Sequence, residues 1–312
     1  MTEDVKSPAP HMILVGVAII LATAFTISVQ DVVFKLYSSE MTLWQIFALR
    51  GCIAVPLLIA FILVRSSPIA TLQSAVEKWV VLRSVFITGT FLAFYAAIPF
   101  LSLSTIGAAN YMAPIFIALL SALVIKEPVR LIGWIGVCLG FAGVLVLLQP
   151  GTDAYSPWAL LPIGGAMFYA LAHVITRTKC QDVPLPAIAL SQNFAMLIAG
   201  LLVSILIFIA MPRGEVAEVY PYIFGTWSVL EAKDWLVLIL LAGFSIIIAV
   251  MLAGAYKVAP PALVSTFEYS YLVFAATWDI LLFGIILNNA TILGMIMIAA
   301  AGLFVLYGNA RR

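Results

Sequence analysis

The sequence predicts an all-α protein that crosses a membrane about ten times, arranged as two inverted repeats of five helices. Between Arg83 and Lys126 the chain runs 42 residues without a formal charge. Of its 312 residues 64% are apolar and 9% are charged. A helix of a soluble fold needs a polar face, so these stretches indicate helices surrounded by lipid. At about 20 residues per span, ten spans account for most of the chain.

Pro, Gly and charged residues divide the apolar sequence into ten predicted spans. Those of the first half lie at 12–36, 42–64, 79–98, 104–125 and 131–149, and those of the second half at 157–178, 185–210, 235–256, 260–284 and 290–308. The divisions at 99–105 and 286–291 are short turns inside uncharged tracts, and they rest on length because merged spans would exceed a bilayer. The chain accordingly divides into two units, residues 1–150 and 151–312.

Lysine and arginine predict the orientation, because cytoplasmic loops keep positive charge. With a cytoplasmic N-terminus, eleven basic residues fall on the cytoplasmic side and three on the outer side. The first set is Lys6, Arg65, Lys78, Arg83, Lys126, Arg130, Arg177, Lys179, Lys257, Arg311 and Arg312, and the second is Lys35, Arg213 and Lys233. Both termini are then cytoplasmic. The longest loop, 211–234, faces outward, either as an interfacial flap or as a flexible connector.

Five spans per half make the two halves antiparallel, since an odd number of crossings reverses the next repeat. Residues 95–148 match residues 253–306 at nine positions with an offset of 158. This offset sets Asn110 against Glu268, and Tyr111 against Tyr269. Inverted repeats commonly place substrate at their interface near mid-membrane, so these four residues are candidates for a binding site.

The run YAAIPFLSLSTIGAANYMAPIFIALLSALVIKEPVRLIGWIGVCLGFAGVLVLLQPG resembles the repeat module of EamA-type transporters in the drug/metabolite transporter superfamily. Its most specific pieces are Pro114, the Lys126-Glu127-Pro128 turn, Gly136 and Gly143. DVVFK and TLWQIFALRG further resemble the branch that takes up S-adenosylmethionine and similar metabolites. The second half departs from the pattern, with Leu272 and Ile285 at the positions of Pro114 and Glu127. The resemblance implies a ten-helix inner-membrane carrier with a central cavity.

Charged side chains within the hydrocarbon each cost at least a few kcal/mol unless paired or hydrated, and five residues are candidates on this ground. They are Asp31, Lys35, Arg50, Glu268 and Asp279. Asp31 and Lys35 are four residues apart, so a local ion pair is the simplest interpretation. Arg50 lies at a depth similar to that of Asp31, which allows two roles: pairing with Asp31 across helices, or binding a substrate anion through its planar fork.

Glu268 is the strongest single candidate for mechanism. It lies about 12 Å from the cytoplasmic start of span nine, within the string STFEYSY, and has no basic neighbour in sequence. A carboxyl at this depth suits proton transfer or contact with a cationic group of a substrate. The alternative is a hydrogen bond to hydroxyl groups that fixes two helices together.

The remaining polar side chains within spans are either substrate contacts or partners of one another. They are Tyr95, Asn110, Tyr111, Tyr169, His173, Gln192, Asn193, Tyr269 and Tyr271. His173, the single histidine inside a span, is expected to be a bonded core group rather than a ligand. The face of Gly136 and Gly140 allows close helix packing, either in a homodimer or within the bundle.

Several functional classes find no support in the sequence. There is no GxxxxGK[ST] loop for ATP and no HExxH, and two histidines are too few for a histidine-rich metal site. No cofactor, metal or nucleic-acid partner is predicted, and no enzyme activity. The sequence therefore predicts a secondary transporter for a small polar metabolite, such as an amino acid, an S-adenosylmethionine-like compound or an organic acid, with possible proton coupling. A passive channel-like pore is the alternative.

Overall fold

The computed structural model describes residues 10–37, 40–64, 67–110, 112–124, 131–149, 156–210, 218–258, 267–268 and 270–310. Within these ranges the regular structure is helical and contains no strand. The helices are α1 (Pro10–Tyr37), α2 (Leu43–Leu63), α3 (Pro68–Ala75), α4 (Lys78–Ala97), α5 (Leu103–Asn110), α6 (Ala113–Val124), α7 (Leu131–Leu148), α8 (Leu160–Lys179), α9 (Leu185–Ala210), α10 (Pro221–Phe224), α11 (Ala232–Val258), α12 (Ser270–Phe283) and α13 (Asn289–Ala310). A 3₁₀ turn, Pro157–Ala159, leads into α8.

Six helical segments in the described chain are long and apolar enough to cross a membrane, judged by length and composition. They are Leu14–Tyr37, Leu43–Leu63, Lys78–Ala97, Pro157–Thr176, Leu185–Ala210 and Ala232–Tyr256. These segments coincide with predicted spans one to three and six to eight. Shorter apolar helices cover the regions of the other four predicted spans. The prediction of an all-α polytopic membrane protein is confirmed, whereas ten crossings remain a prediction.

Local sequence sets several helix ends. Thr42 begins α2, where its side chain accepts a hydrogen bond from the Gln45 N–H at 3.2 Å, as an N-cap residue does. Pro68 occupies the first turn of α3, where its missing N–H costs nothing. The predicted turn at 99–105 separates α4 from α5, which confirms that division of the uncharged tract.

The helices of the two halves pack against each other in matched pairs. α1 packs on α11 and α4 packs on α8. The contact between α4 and α9 corresponds to the contact between α2 and α11. The contact between α6 and α8 likewise corresponds to the contact between α1 and α12. The pairs α2 with α9 and α7 with α13 join equivalent helices directly. Exchanging each helix with its counterpart in the other half therefore reproduces these contacts between the halves.

The glycine face of α7 is used within the chain. A Cβ atom on Gly140 would collide with the Ile115 side chain of α6, and one on Gly143 would lie 2.9 Å from the Met297 Cβ of α13. These glycines let α7 approach its neighbours closely. Packing within the bundle, one of the two predicted roles, is thus observed for Gly140 and Gly143, whereas a homodimer stays a prediction.

The described part of the longest loop, 211–234, lies against the start of α2. The Trp44 indole N–H donates to the Ile223 carbonyl at 2.7 Å. Gln45 donates to the Ser228 carbonyl at 2.9 Å and accepts from the Ser228 N–H at 3.0 Å. Residues 218–231 therefore form an ordered flap rather than a loose connector, and residues 211–217 lie outside the described ranges.

Candidate functional site

A cavity of about 70 Å³ lies at the centre of the bundle, between helices of both halves. Its polar lining includes two carboxylates, and no basic side chain occurs among the described residues that line it. The lining residues are Ile20, Ala24, Ile27, Asp31, Thr90, Phe91, Phe94, Gly107, Asn110, Ala113, Tyr169, Leu252, Glu268 and Tyr271. Of the predicted site residues, Asp31, Asn110 and Glu268 meet here.

Asp31 is buried and holds two tyrosine hydroxyl groups. Its Oδ1 accepts from the Tyr95 hydroxyl at 3.0 Å, and its Oδ2 accepts from the Tyr271 hydroxyl at 2.7 Å. Tyr95 also accepts a hydrogen bond from the Gln30 amide, and its ring stacks on Phe34 with centroids 3.8 Å apart. One carboxylate thus connects α1, α4 and α12. The predicted residue Tyr95 supports Asp31 and is not among the described residues that line the cavity.

Glu268 repeats this arrangement on another side of the cavity. Its Oε1 accepts from the hydroxyl groups of Tyr169 and Tyr256, each at 2.8 Å. The residue is 7% exposed, and its two tyrosines come from α8 and α11. These contacts are those of the predicted alternative, hydrogen bonding to hydroxyl groups. Glu268 also lies in the cavity wall, and its role in binding or coupling stays a prediction.

Local backbone features create the space around these carboxylates. α5 ends at Asn110 and α6 begins at Ala113, so the predicted fourth span contains a break beside the cavity. Asn110 lines the cavity, and its buried Oδ1 has no hydrogen-bond partner. A Cβ atom on Gly107 would lie 2.5 Å from the Tyr271 ring, so this glycine lets Tyr271 reach Asp31. Tyr111 and Tyr269, also predicted for the site, lie outside the described residues.

His173 stands behind Glu268 instead of lining the cavity. Its ring lies between those of Tyr169 and Tyr256, with centroid distances of 4.1 and 4.3 Å. It is 5% exposed, and neither ring nitrogen has a hydrogen-bond partner. His173 is thus buried, as expected of a core group. The expected hydrogen bond of its ring is not found among the described residues.

Arg50 is buried and is not among the described residues that line the cavity, but it interacts electrostatically with Asp31, which is. Its guanidinium lies over the rings of Phe47 and Phe34, at 4.2 and 5.3 Å from their centroids, and its Nη2 lies 3.1 Å from the Met196 sulfur. No ion pair joins Arg50 to a described carboxylate within 4 Å. The predicted partner, Asp31, is occupied by tyrosines. Aromatic faces therefore stabilise this cation, through cation–π contacts.

The predicted local pair of Lys35 with Asp31 is wrong. Lys35 pairs with Asp279 on α12 at 3.8 Å and donates to the Leu101 carbonyl at 3.2 Å. Asp279 also accepts from the backbone N–H groups of Leu103 and Ser104, at 3.2 and 2.8 Å. These N–H groups begin α5 and lack partners within it, so Asp279 caps this helix from across the bundle.

Sequence reasoning missed Arg83, Tyr256 and Thr90. Arg83 was assigned to the charged cytoplasmic side, but its side chain is fully buried between α4, α8 and α9. The sequence did contain a signal for this burial. Lys78 by itself can mark the charged start of the third span, which places Arg83 five residues inside that span. No group of three or more metal-ligand side chains occurs among the described residues.

Comparison with known proteins gives a family match for the first half of the chain. Residues 14–149 match the model of the EamA-like transporter family. This part of the chain is similar to an EamA-like transporter domain. The resemblance predicted from YAAIPFLSLSTIGAANYMAP and its continuation is thereby confirmed, and the EamA-like region contributes Asp31, Thr90 and Asn110 to the cavity.

The relatives of the chain bear transporter names. An uncharacterized transporter of Helicobacter pylori is 27% identical over 69% of this chain and 68% of its own length. The pseudopaline exporter CntI of Pseudomonas aeruginosa is 24% identical over 92% of this chain and 94% of its own. The S-adenosylmethionine uptake transporter of Rickettsia prowazekii is 20% identical over 94% of this chain and 93% of its own.

The fold also occurs among solved structures. One crystal structure covers 94% of this chain and 96% of its own, with a TM-score of 0.62 and 18% sequence identity. At this identity the likeness concerns the fold alone. It extends over both halves of the chain, beyond the matched EamA-like residues.

Proposed function

We propose that the chain is a secondary transporter that moves a small, amine-bearing polar metabolite across the inner membrane. The two halves, residues 1–150 and 151–312, would supply five spans each in inverted orientation and alternate access around the central cavity. The exchange symmetry of the helix contacts supports the inverted repeat. The EamA-like match and the transporter names of the relatives support transport rather than catalysis.

The observation that carries this proposal is the pair of carboxylates on one cavity. Asp31 comes from the first half and Glu268 from the second, and both line the same space. A buried carboxyl group in a membrane protein is costly, and such groups mark substrate sites and proton pathways. With no basic side chain among the described lining residues, the cavity favours an amine or another cation over an organic acid.

The named substrate of one relative agrees with this charge preference. S-adenosylmethionine, which the Rickettsia prowazekii relative takes up, carries an ammonium and a sulfonium group. Two carboxylates can each meet one of these cations, while tyrosine rings and Asn110 contact neutral parts of a ligand. Protonation of Glu268 when the site is empty would couple transport to a proton gradient.

Reconstituted protein tests the proposal. The purified chain is screened by thermal shift against amine-bearing and purely anionic metabolites, since a bound ligand raises apparent stability. Compounds that stabilise the protein are then tested in proteoliposomes for saturable uptake and for exchange with internal substrate. Stabilisation by organic acids but not by amines would contradict the proposed substrate class. Ionic current without saturation or exchange would favour the pore.

A further inference from the structure

The guanidinium of Arg83 is the buried charge that the proposed transport cycle does not use. Arg83 lies in α4 with 0% exposure. Its Nε donates to the Thr176 hydroxyl at 3.2 Å, and its Nη1 donates to the Gln192 amide oxygen at 2.8 Å. Its Nη2 has no hydrogen-bond partner. Three helices therefore hold the guanidinium in place and leave one of its donor nitrogens unused.

The charge of Arg83 also lacks compensation. No described carboxylate lies within 4 Å of it, and no described aromatic ring lies over it, in contrast to Arg50. Thr176 belongs to the last turn of α8, where the helix dipole supplies about half a negative charge. An unpaired buried cation is strongly unfavourable, and this partial charge balances it only in part.

A second buried side chain without described hydrogen-bond partners lies on the face of α8 that carries Thr176. His173 precedes Thr176 by three residues on α8, so the two side chains are neighbours on that face. Both nitrogens of His173 lack partners, and the residue is buried. Buried polar atoms without partners are rare, and a cluster of them commonly marks an ion or water that completes the hydrogen bonding.

We propose that Arg83, Thr176, Gln192 and His173 form a binding site for a small monovalent anion, such as a halide or a carboxylate group. The site would lie beside the central cavity, separated from it by the Tyr169 and Tyr256 pair that holds Glu268. The free Nη2 of Arg83 and an N–H of His173 donate to the anion. One guanidinium balances one negative charge, which sets the preference for a monovalent ligand.

Thermal unfolding in nanodiscs tests the site directly. Chloride or formate replaces sulfate, a divalent anion, at constant ionic strength, and the wild-type Tm is expected to rise saturably by about 4 °C. Arg83→Gln should abolish the rise, and Lys78→Gln, which removes an exposed charge from the same helix, should retain it. An equal wild-type Tm in chloride, formate and sulfate would overturn the site, as would an unchanged rise in Arg83→Gln.

Two further measurements test the site in case Arg83→Gln does not fold. Arg83→Lys keeps the charge but loses the planar fork, and it should need at least about tenfold more chloride for the same Tm rise. Crystals of the wild-type protein soaked in bromide should show anomalous density beside Nη2 of Arg83. Bromide bound elsewhere in the protein, with none beside Arg83, would contradict the assignment.

Competition distinguishes the two sources of the anion. If L-methionine displaces chloride while L-methioninamide does not, the site accepts the carboxylate of an amino acid. If neither compound displaces chloride, the site holds a free inorganic anion. These are binding measurements on purified protein, so their outcome does not depend on whether the chain transports an amine-bearing substrate.

Discussion

Asp31 and Tyr271 are joined by a 2.7 Å hydrogen bond across 240 residues of sequence. Asp31 belongs to the first half of the chain and Tyr271 to the second, and both line the central cavity. A movement of one half against the other changes this contact directly. The bond is therefore both a part of the cavity wall and a connection between the two halves.

Replacing Tyr271 with Phe removes this bond and keeps the aromatic ring. The free energy of unfolding should fall by about 1–2 kcal/mol, the usual contribution of a strong hydrogen bond between membrane helices. Unfolding in mixed micelles measures the change. Tyr37→Phe is the matched control, because the Tyr37 hydroxyl makes no described hydrogen bond, and it should leave stability unaltered. Equal effects of the two substitutions would show that the Asp31 contact contributes nothing.

Glu268→Gln tests proton coupling in a nearly isosteric variant. The amide can still accept from the hydroxyl groups of Tyr169 and Tyr256, so the fold should persist. It cannot alternate between charged and neutral forms, so proton-driven accumulation in proteoliposomes should fall to background while substrate exchange continues.

The control for Glu268→Gln is Glu218→Gln, at an exposed position of the 218–231 flap. This control variant should transport normally. Weakened substrate binding with intact coupling would assign Glu268 to the substrate amine instead. Unchanged affinity, accumulation and pH dependence would make it a structural hydrogen-bond acceptor and contradict both roles.

Asp279→Ala should be the most destabilising of these substitutions. It leaves Lys35 without its carboxylate and two backbone N–H groups of α5 without an acceptor, so about 3–5 kcal/mol of unfolding free energy should be lost. Unfolding in mixed micelles measures this loss. Asp182→Ala, in the exposed connection between α8 and α9, is the control and should change little. A loss similar to that of the control would refute the capping role.

The predicted pairing of Arg50 with Asp31 is tested by a double-mutant cycle. The two residues form no ion pair, but Tyr95 bonds to Asp31 and packs on the rings that hold Arg50. Arg50→Met and Asp31→Asn should therefore show a small coupling, of about 0.5–1 kcal/mol. Denaturation of the four proteins gives this coupling. A coupling of several kcal/mol, with stability recovered in the double variant, would restore the ion-pair interpretation.

Cysteine labelling tests the topology. In a background without Cys52, Cys138 and Cys180, an impermeant thiol reagent added to intact cells should label a cysteine at Glu218. It should not label one at Asp182, between α8 and α9, or one beside Arg312. Labelling at Asp182 or Arg312 but not at Glu218 would invert the predicted orientation.

Hydropathy by itself determined the class of this protein and most of its helices, because burial in lipid requires long apolar segments that are visible in any sequence window. It also singled out Asp31, Asn110 and Glu268, since polar residues are conspicuous in such segments. The repeat offset paired Asn110 with Glu268, and the structure brings both to one cavity.

Only the tertiary structure decided which polar groups meet. Sequence spacing suggested that Asp31 pairs with Lys35, yet Lys35 reaches Asp279 and Asp31 reaches Tyr271. Such partners depend on how each helix is rotated and which neighbour it packs against. Helices that are apolar on every side carry no amphipathic stripe to reveal that rotation, and this is why Arg83 appeared to be a surface charge.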